Sequence, residues 1–75
     1  MHKEKTYTIV GLGKTGFSCL RFLHAKHHRI FVTDTRNNPP YLETLRKDYP
    51  EILFQGGELS AKFLDKSDEI VVSPG

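Results

Sequence analysis

"TYTIVGLGKTGFSC", residues 6–19, decides the fold. Tyr7 to Val10 form a short apolar run rich in β-branched and aromatic residues, the signature of a buried strand. Three glycines then follow, Gly11, Gly13 and Gly16, before an apolar pattern at helical spacing that includes Phe17, Leu20 and Leu23. This G-x-G-x-x-G spacing between a strand and a helix makes a phosphate-holding turn. The first glycine permits the tight turn, the second removes a side chain where backbone approaches a ligand, and the third lets helix lie on strand. The amides at the helix start, with Lys14 and the Thr15 hydroxyl, suit an anion, and the dipole adds roughly 0.3–1 kcal/mol.

Working outward, the same alternation repeats. Strands are expected over 5–10 and 29–34, with a third in "EILFQGG" (51–57) and a fourth in "DEIVVSPG" (68–75). Helices are expected over 15–26, through "YLETLRKDY" (41–49) with Pro40 in its first turn, and in "LSAKFLD" (59–65) with Ser60 as N-cap. Alternating strands and helices imply an α/β, Rossmann-like, three-layer parallel sheet, and right-handed crossovers give the strand order 3-2-1-4. Residues 1–75 read as one domain, and an ending on a strand tip at Ser73-Pro74-Gly75 suggests a sheet truncated after its fourth strand. A chain of this size buries only about 60–65% of its unfolded surface, so its stability is expected to be marginal.

Composition narrows the function. A net charge of +2 with both signs interspersed, and no basic stripe with interleaved aromatics, argues against a nucleic-acid surface. The single cysteine, Cys19, excludes an internal disulfide and reads as a packed thiol. No apolar run approaches a membrane span, the N-terminus has no signal-peptide core, and a cytoplasmic setting is expected. His24, His27 and His28 lie close together, but no carboxylate or cysteine completes a metal set. Gly13-Lys14-Thr15 imitates the end of an ATP-binding P-loop, yet Thr8 stands where that loop needs its first glycine.

Asp34 follows Gly16 by eighteen residues and closes the second strand, where dinucleotide-binding folds place a ribose acceptor. From spacing alone the default ligand is NAD, and Arg36 hints at a 2′-phosphate. An NAD(P)-binding redox or regulatory module is therefore one reading; a solvated turn at Asp34-Thr35-Arg36 is the bland one.

Taken together, "GLGKTG" (11–16), "DTRNNPP" (34–40) and "SPG" (73–75) resemble the N-terminal domain of the Mur ligases of peptidoglycan synthesis. The D-T-R-x-x-P-P run points to the D-glutamate-adding branch. The resemblance implies a different ligand from NAD, the UDP part of UDP-N-acetylmuramoyl-L-alanine. It implies that Lys14 and Thr15, between Gly13 and Gly16, contact the diphosphate through backbone N–H groups and the threonine hydroxyl. Asp34 and Thr35, with Arg36 beside them, would recognise uracil, while Ser73 and Gly75 would line the sugar-phosphate side. A carboxylate suits the uracil N3–H, and donors suit its carbonyls. The resemblance further implies a parent enzyme that uses ATP and Mg2+ to activate the substrate carboxylate for attack by D-glutamate. Those steps would lie on central and C-terminal domains, leaving residues 1–75 to bind substrate without catalysis. An apolar fourth strand at the edge of the sheet would also be open to self-association.

Overall fold

Four short runs dense in Val, Ile, Phe and Thr form the strands, and the segments between them fold back as helices. The structure, a computed structural model, describes residues 3–73. In chain order the elements are β1 (Thr6–Val10), α1 (Lys14–Ala25), β2 (Arg29–Asp34), α2 (Leu42–Asp48), β3 (Leu53–Gly56), α3 (Ala61–Lys66) and β4 (Glu69–Val72). All three strand pairings are parallel, and the order is β3-β2-β1-β4, as the crossover rule requires.

Register separates the two faces of the sheet. Ile9 lies opposite Val32 on β2 and Val71 on β4, and Val32 lies opposite Phe54 on β3. These residues share one apolar cluster with Leu12, Phe17 and Leu20 around α1 and with Leu42 and Leu45 of α2. Ile9, Leu20 and Val32 are wholly buried, each contributing about 1.5–3 kcal/mol relative to exposure. Cys19 and Leu23 pack against the cluster as ordinary apolar groups.

The opposite face carries Thr8, Phe31 and Thr33 and is covered by the single short helix α3. Phe31 stacks on Phe63 at 4.7 Å with the rings 5° apart. Buried threonines take up polar groups there: Thr8 Oγ1 donates to the Phe63 carbonyl at 3.1 Å and pairs with the Ser67 hydroxyl. Thr33 Oγ1 donates to the Gln55 carbonyl at 2.9 Å and accepts the Ser60 N–H at 3.0 Å. Ser60 caps α3, its hydroxyl accepting the Phe63 N–H at 3.1 Å.

Several element ends lie one or two residues from the sequence expectation, and two of the differences have a clear cause in the packing. Pro40 lies in the turn before α2, whose first residue is Leu42 after an N-cap at Tyr41. The Tyr41 N–H instead donates to the Leu12 carbonyl at 3.3 Å, and its ring stacks on Phe17 at 5.1 Å. The helix therefore begins only after Tyr41, which is docked on the start of α1. The other end is that of α1, which stops at Ala25, one residue earlier than expected, with His27 at φ 65°. His28 N–H donates to Leu23 O at 3.2 Å and His27 N–H to His24 O at 3.0 Å, the paired bonds of a Schellman stop. A histidine fills the left-handed position that glycine usually takes.

Candidate functional site

In a parallel sheet all carboxyl ends lie at one edge, and here Gly11, Asp34 and Ser73 meet there at the ends of β1, β2 and β4. β1 is also where the strand order reverses, the crevice in which open α/β sheets bind ligands. Gly11 has φ 102° and donates its N–H to the Thr33 carbonyl at 2.9 Å, which turns the chain sharply away from β1. A Cβ on Gly16 would stand 1.9 Å from the Gly11 carbonyl oxygen, so α1 starts hard against the turn only because residue 16 lacks a side chain. Gly13 is the N-cap of α1; no side chain caps the helix, and no acidic residue occupies its first turn. The positive end of the α1 dipole is therefore neither capped nor neutralised by the helix's own residues.

Asp34 is 3% exposed and its carboxylate is fully engaged. Oδ2 accepts the Leu12 N–H at 2.8 Å and Nη2 of Arg36 at 2.8 Å. Oδ1 accepts the Arg36 backbone N–H at 2.8 Å and its Nε at 3.0 Å. The Arg36 side chain, 43% exposed, thus lies over the strand end as a bidentate partner. The Arg36 guanidinium holds the Asp34 carboxyl down at about 2, with the Arg36 and Leu12 amides adding to the effect and burial opposing it.

Ser73 closes the third side. Its N–H donates to the Val10 carbonyl at 2.8 Å, and its Cβ lies 3.4 Å from where side chains on Gly11 or Gly16 would begin. Ser73 Oγ is buried with no hydrogen-bond partner among the described residues. A buried hydroxyl in that condition calls for a partner that the described chain does not supply.

Val10, Gly11, Asp34, Thr35, Arg36, Leu59 and Ser73 line one cleft of about 280 Å³. Of the residues expected from sequence, the fold thus gathers Asp34, Thr35, Arg36 and Ser73 around this cleft. Gly13 and Gly16 are buried in the turn, and Lys14 and Thr15 stand exposed at the start of α1. Thr15 lines a separate apolar groove with Ser18, Cys19, Phe22, Leu23 and Val71. Gly75 lies outside the described residues. Val10 and Leu59 line the cleft without having been expected. Leu59 had a signal in the sequence, since "QGGELS" must follow a strand end at this same edge.

A larger groove of about 710 Å³ runs between α1 and α2, but its lining of Phe17, Arg21, Thr44, Lys47, Asp48 and Tyr49 includes none of the glycine turn. The histidines are spread over structural contacts. His24 Nε2 pairs with Glu51 at 3.0 Å, and His28 Nδ1 accepts the Lys5 N–H at 3.1 Å. No helix among the described residues is long and apolar enough to cross a membrane.

Residues 5–75 match the family model described as "Mur ligase MurD-like, N-terminal domain". The chain belongs to that family. It is 52% identical over 67 residues to a UDP-N-acetylmuramoylalanine–D-glutamate ligase of Pseudomonas fluorescens, a span covering 89% of this chain and 15% of the relative. The same figures hold for the ligase of that name from Pseudomonas syringae pv. tomato. The one from Coxiella burnetii is 45% identical over 75 residues, 100% of this chain and 17% of the relative. The chain therefore spans about one-sixth of the length of the curated relatives it matches. As a MurD-like N-terminal domain it carries glycine turn, Asp34-Thr35-Arg36 corner and Ser73 inside one matched span, and the fold brings them to one sheet edge.

Proposed function

We propose that residues 1–75 are the UDP-binding N-terminal domain of a peptidoglycan ligase that joins D-glutamate to UDP-N-acetylmuramoyl-L-alanine. In this reading the chain binds the UDP part of the substrate and carries no catalytic residue. The observation that carries it is the cleft at the strand-order reversal, with the uncapped start of α1 beside it, in a MurD-like chain. At about 280 Å³ the cleft is near the low end of small-ligand pockets, roughly 300–1,000 Å³, which suits a base and ribose rather than the whole substrate. The diphosphate then lies outward over the start of α1, where the Gly13–Gly16 backbone, Lys14 and the Thr15 hydroxyl meet it. Thr35 and Arg36 offer donors to the uracil carbonyls. Asp34 takes the N3–H by exchanging one of its bonds to the half-exposed Arg36. Ser73 Oγ gains its missing partner from the sugar-phosphate side, with Gly75 following it.

ATP and Mg2+ belong, on this proposal, to central and C-terminal domains of the parent. Thr8 at the P-loop's first glycine position rules the present turn out as the triphosphate site. The alternative ligand, NAD, would meet the same Asp34 carboxylate. That carboxylate, held by Leu12 and Arg36, must release a bond for a ribose as for a uracil, so the preference for UDP rests on the MurD-like match over residues 5–75. Calorimetric titration should therefore give a Kd for UDP below roughly 1 mM, about 4 kcal/mol of binding, and no heat with NADH. Binding of NADH in preference to UDP would defeat the assignment.

We also propose self-association through β4. Among the described residues this strand pairs only with β1, and Ile70 and Val72 are 50% and 70% exposed beside its open edge. Sedimentation should show mass rising with concentration and Val72→Lys suppressing the rise; a wild-type monomer at millimolar concentration would contradict it.

A further inference from the structure

The Asp34 carboxylate touches both ends of the site at once. Oδ2 holds the amide of Leu12, the buried residue between Gly11 and Gly13, while both oxygens hold Arg36. Leu12 is wholly buried, and its carbonyl accepts the Tyr41 N–H at 3.3 Å, so the peptide groups before and after it are each tied. No other group among the described residues accepts the Leu12 N–H, so without Asp34 this buried amide would be left unpartnered. The turn's shape, with Gly11 at φ 102° and α1 beginning at Lys14, is therefore held from β2 as well as by its own glycines.

We propose that Asp34 is a positioning residue for the phosphate end of the site: through the Leu12 amide it holds the glycine turn in the shape that presents the start of α1 to a diphosphate. This role comes in addition to any contact with the base, and it rests on the UDP reading above. Coupling of this kind is reciprocal, so what happens at the phosphate end is felt at Asp34.

Inorganic pyrophosphate separates the two roles because it has no base. An asparagine at position 34 keeps the size but has one acceptor oxygen for four donors. Asp34→Asn is therefore expected to weaken pyrophosphate about threefold to tenfold and UDP by at least as much, and Asp34→Ala by more. An unchanged pyrophosphate affinity alongside a weakened UDP affinity would overturn the proposal and leave Asp34 as a base contact alone. The wild-type chain supplies a readout that no loss of fold can confuse. Pyrophosphate should slow hydrogen exchange at the Leu12 amide, and an exchange rate that stays the same with pyrophosphate bound would also overturn the proposal. Failure of the wild type to bind either ligand would instead end the UDP reading itself, and this inference with it.

Discussion

Gly16→Ala is expected to remove the cooperative thermal transition of this chain, or to lower its midpoint by more than about 12 °C. The new methyl carbon would start 1.9 Å from the Gly11 carbonyl oxygen. No rotamer relieves that contact, because a Cβ has no torsion of its own. Relief requires α1 to move off β1 or the turn to open. Opening the turn breaks the Gly11 N–H bond to Thr33 at 2.9 Å and disturbs the Leu12 bond to Asp34 at 2.8 Å. Moving α1 uncovers Leu20 and Phe17, which sit in the shared core. Overpacking ordinarily costs about 1–3 kcal/mol, and clash with fixed backbone belongs at or beyond the upper end. For a domain of this size each kcal/mol moves the midpoint by about 4–8 °C. Ser18→Ala, exposed on the same helix, is the control and should stay within about 0.5 kcal/mol of wild type. A Gly16→Ala midpoint within a few degrees of wild type would mean that α1 does not lie against the turn as described.

The second large effect is on acid stability. Asp34 has its carboxyl held at about 2 against an ordinary value of 3.8, first by the Arg36 side chain. Because the folded value is depressed, the stabilisation is fully present above pH 4 and drains away as pH falls from about 4 to about 2. The amount at stake is about 2 kcal/mol, an upper figure because Arg36 is partly in solvent. Urea unfolding at neutral pH and at steps down to pH 2 should show that loss in the wild type. Asp34→Asn should already be less stable at pH 7, with a correspondingly flatter acid limb. A variant whose acid limb matched the wild type would show that the Asp34–Arg36 pair contributes nothing to folding.

These two residues also show how much of the site is legible in the sequence. Gly16 was legible because a strand, a tight turn and a closely packed helix impose a spacing on glycines that no other arrangement explains as well. Strand order followed from the same alternation, and the end of β2 at Asp34 agreed to the residue. The occupancy of Asp34 was not legible. Arg36 could equally have extended into solvent, and only the curl of "DTR" at the strand end turns its guanidinium back onto the carboxylate. The stop of α1 at His27 was hidden because a left-handed histidine leaves no compositional mark. Pro40 misled in the ordinary way: proline suits a first helical turn, but docking of Tyr41 on Phe17 and Leu12 delayed the helix to Leu42. Leu59 reached the cleft through tertiary placement of the β3–α3 loop, where the Gly57 N–H donates to the Arg36 carbonyl at 3.3 Å.

Amide resonances recorded while UDP is added to the isotope-labelled chain test the central claim most directly. Shifts are expected to concentrate at Gly13, Lys14, Thr15, Thr35 and Arg36, with the α1–α2 groove around Thr44 and Lys47 silent. Shifts confined to that groove, with Gly13, Thr15 and Thr35 unmoved at saturation, would contradict it.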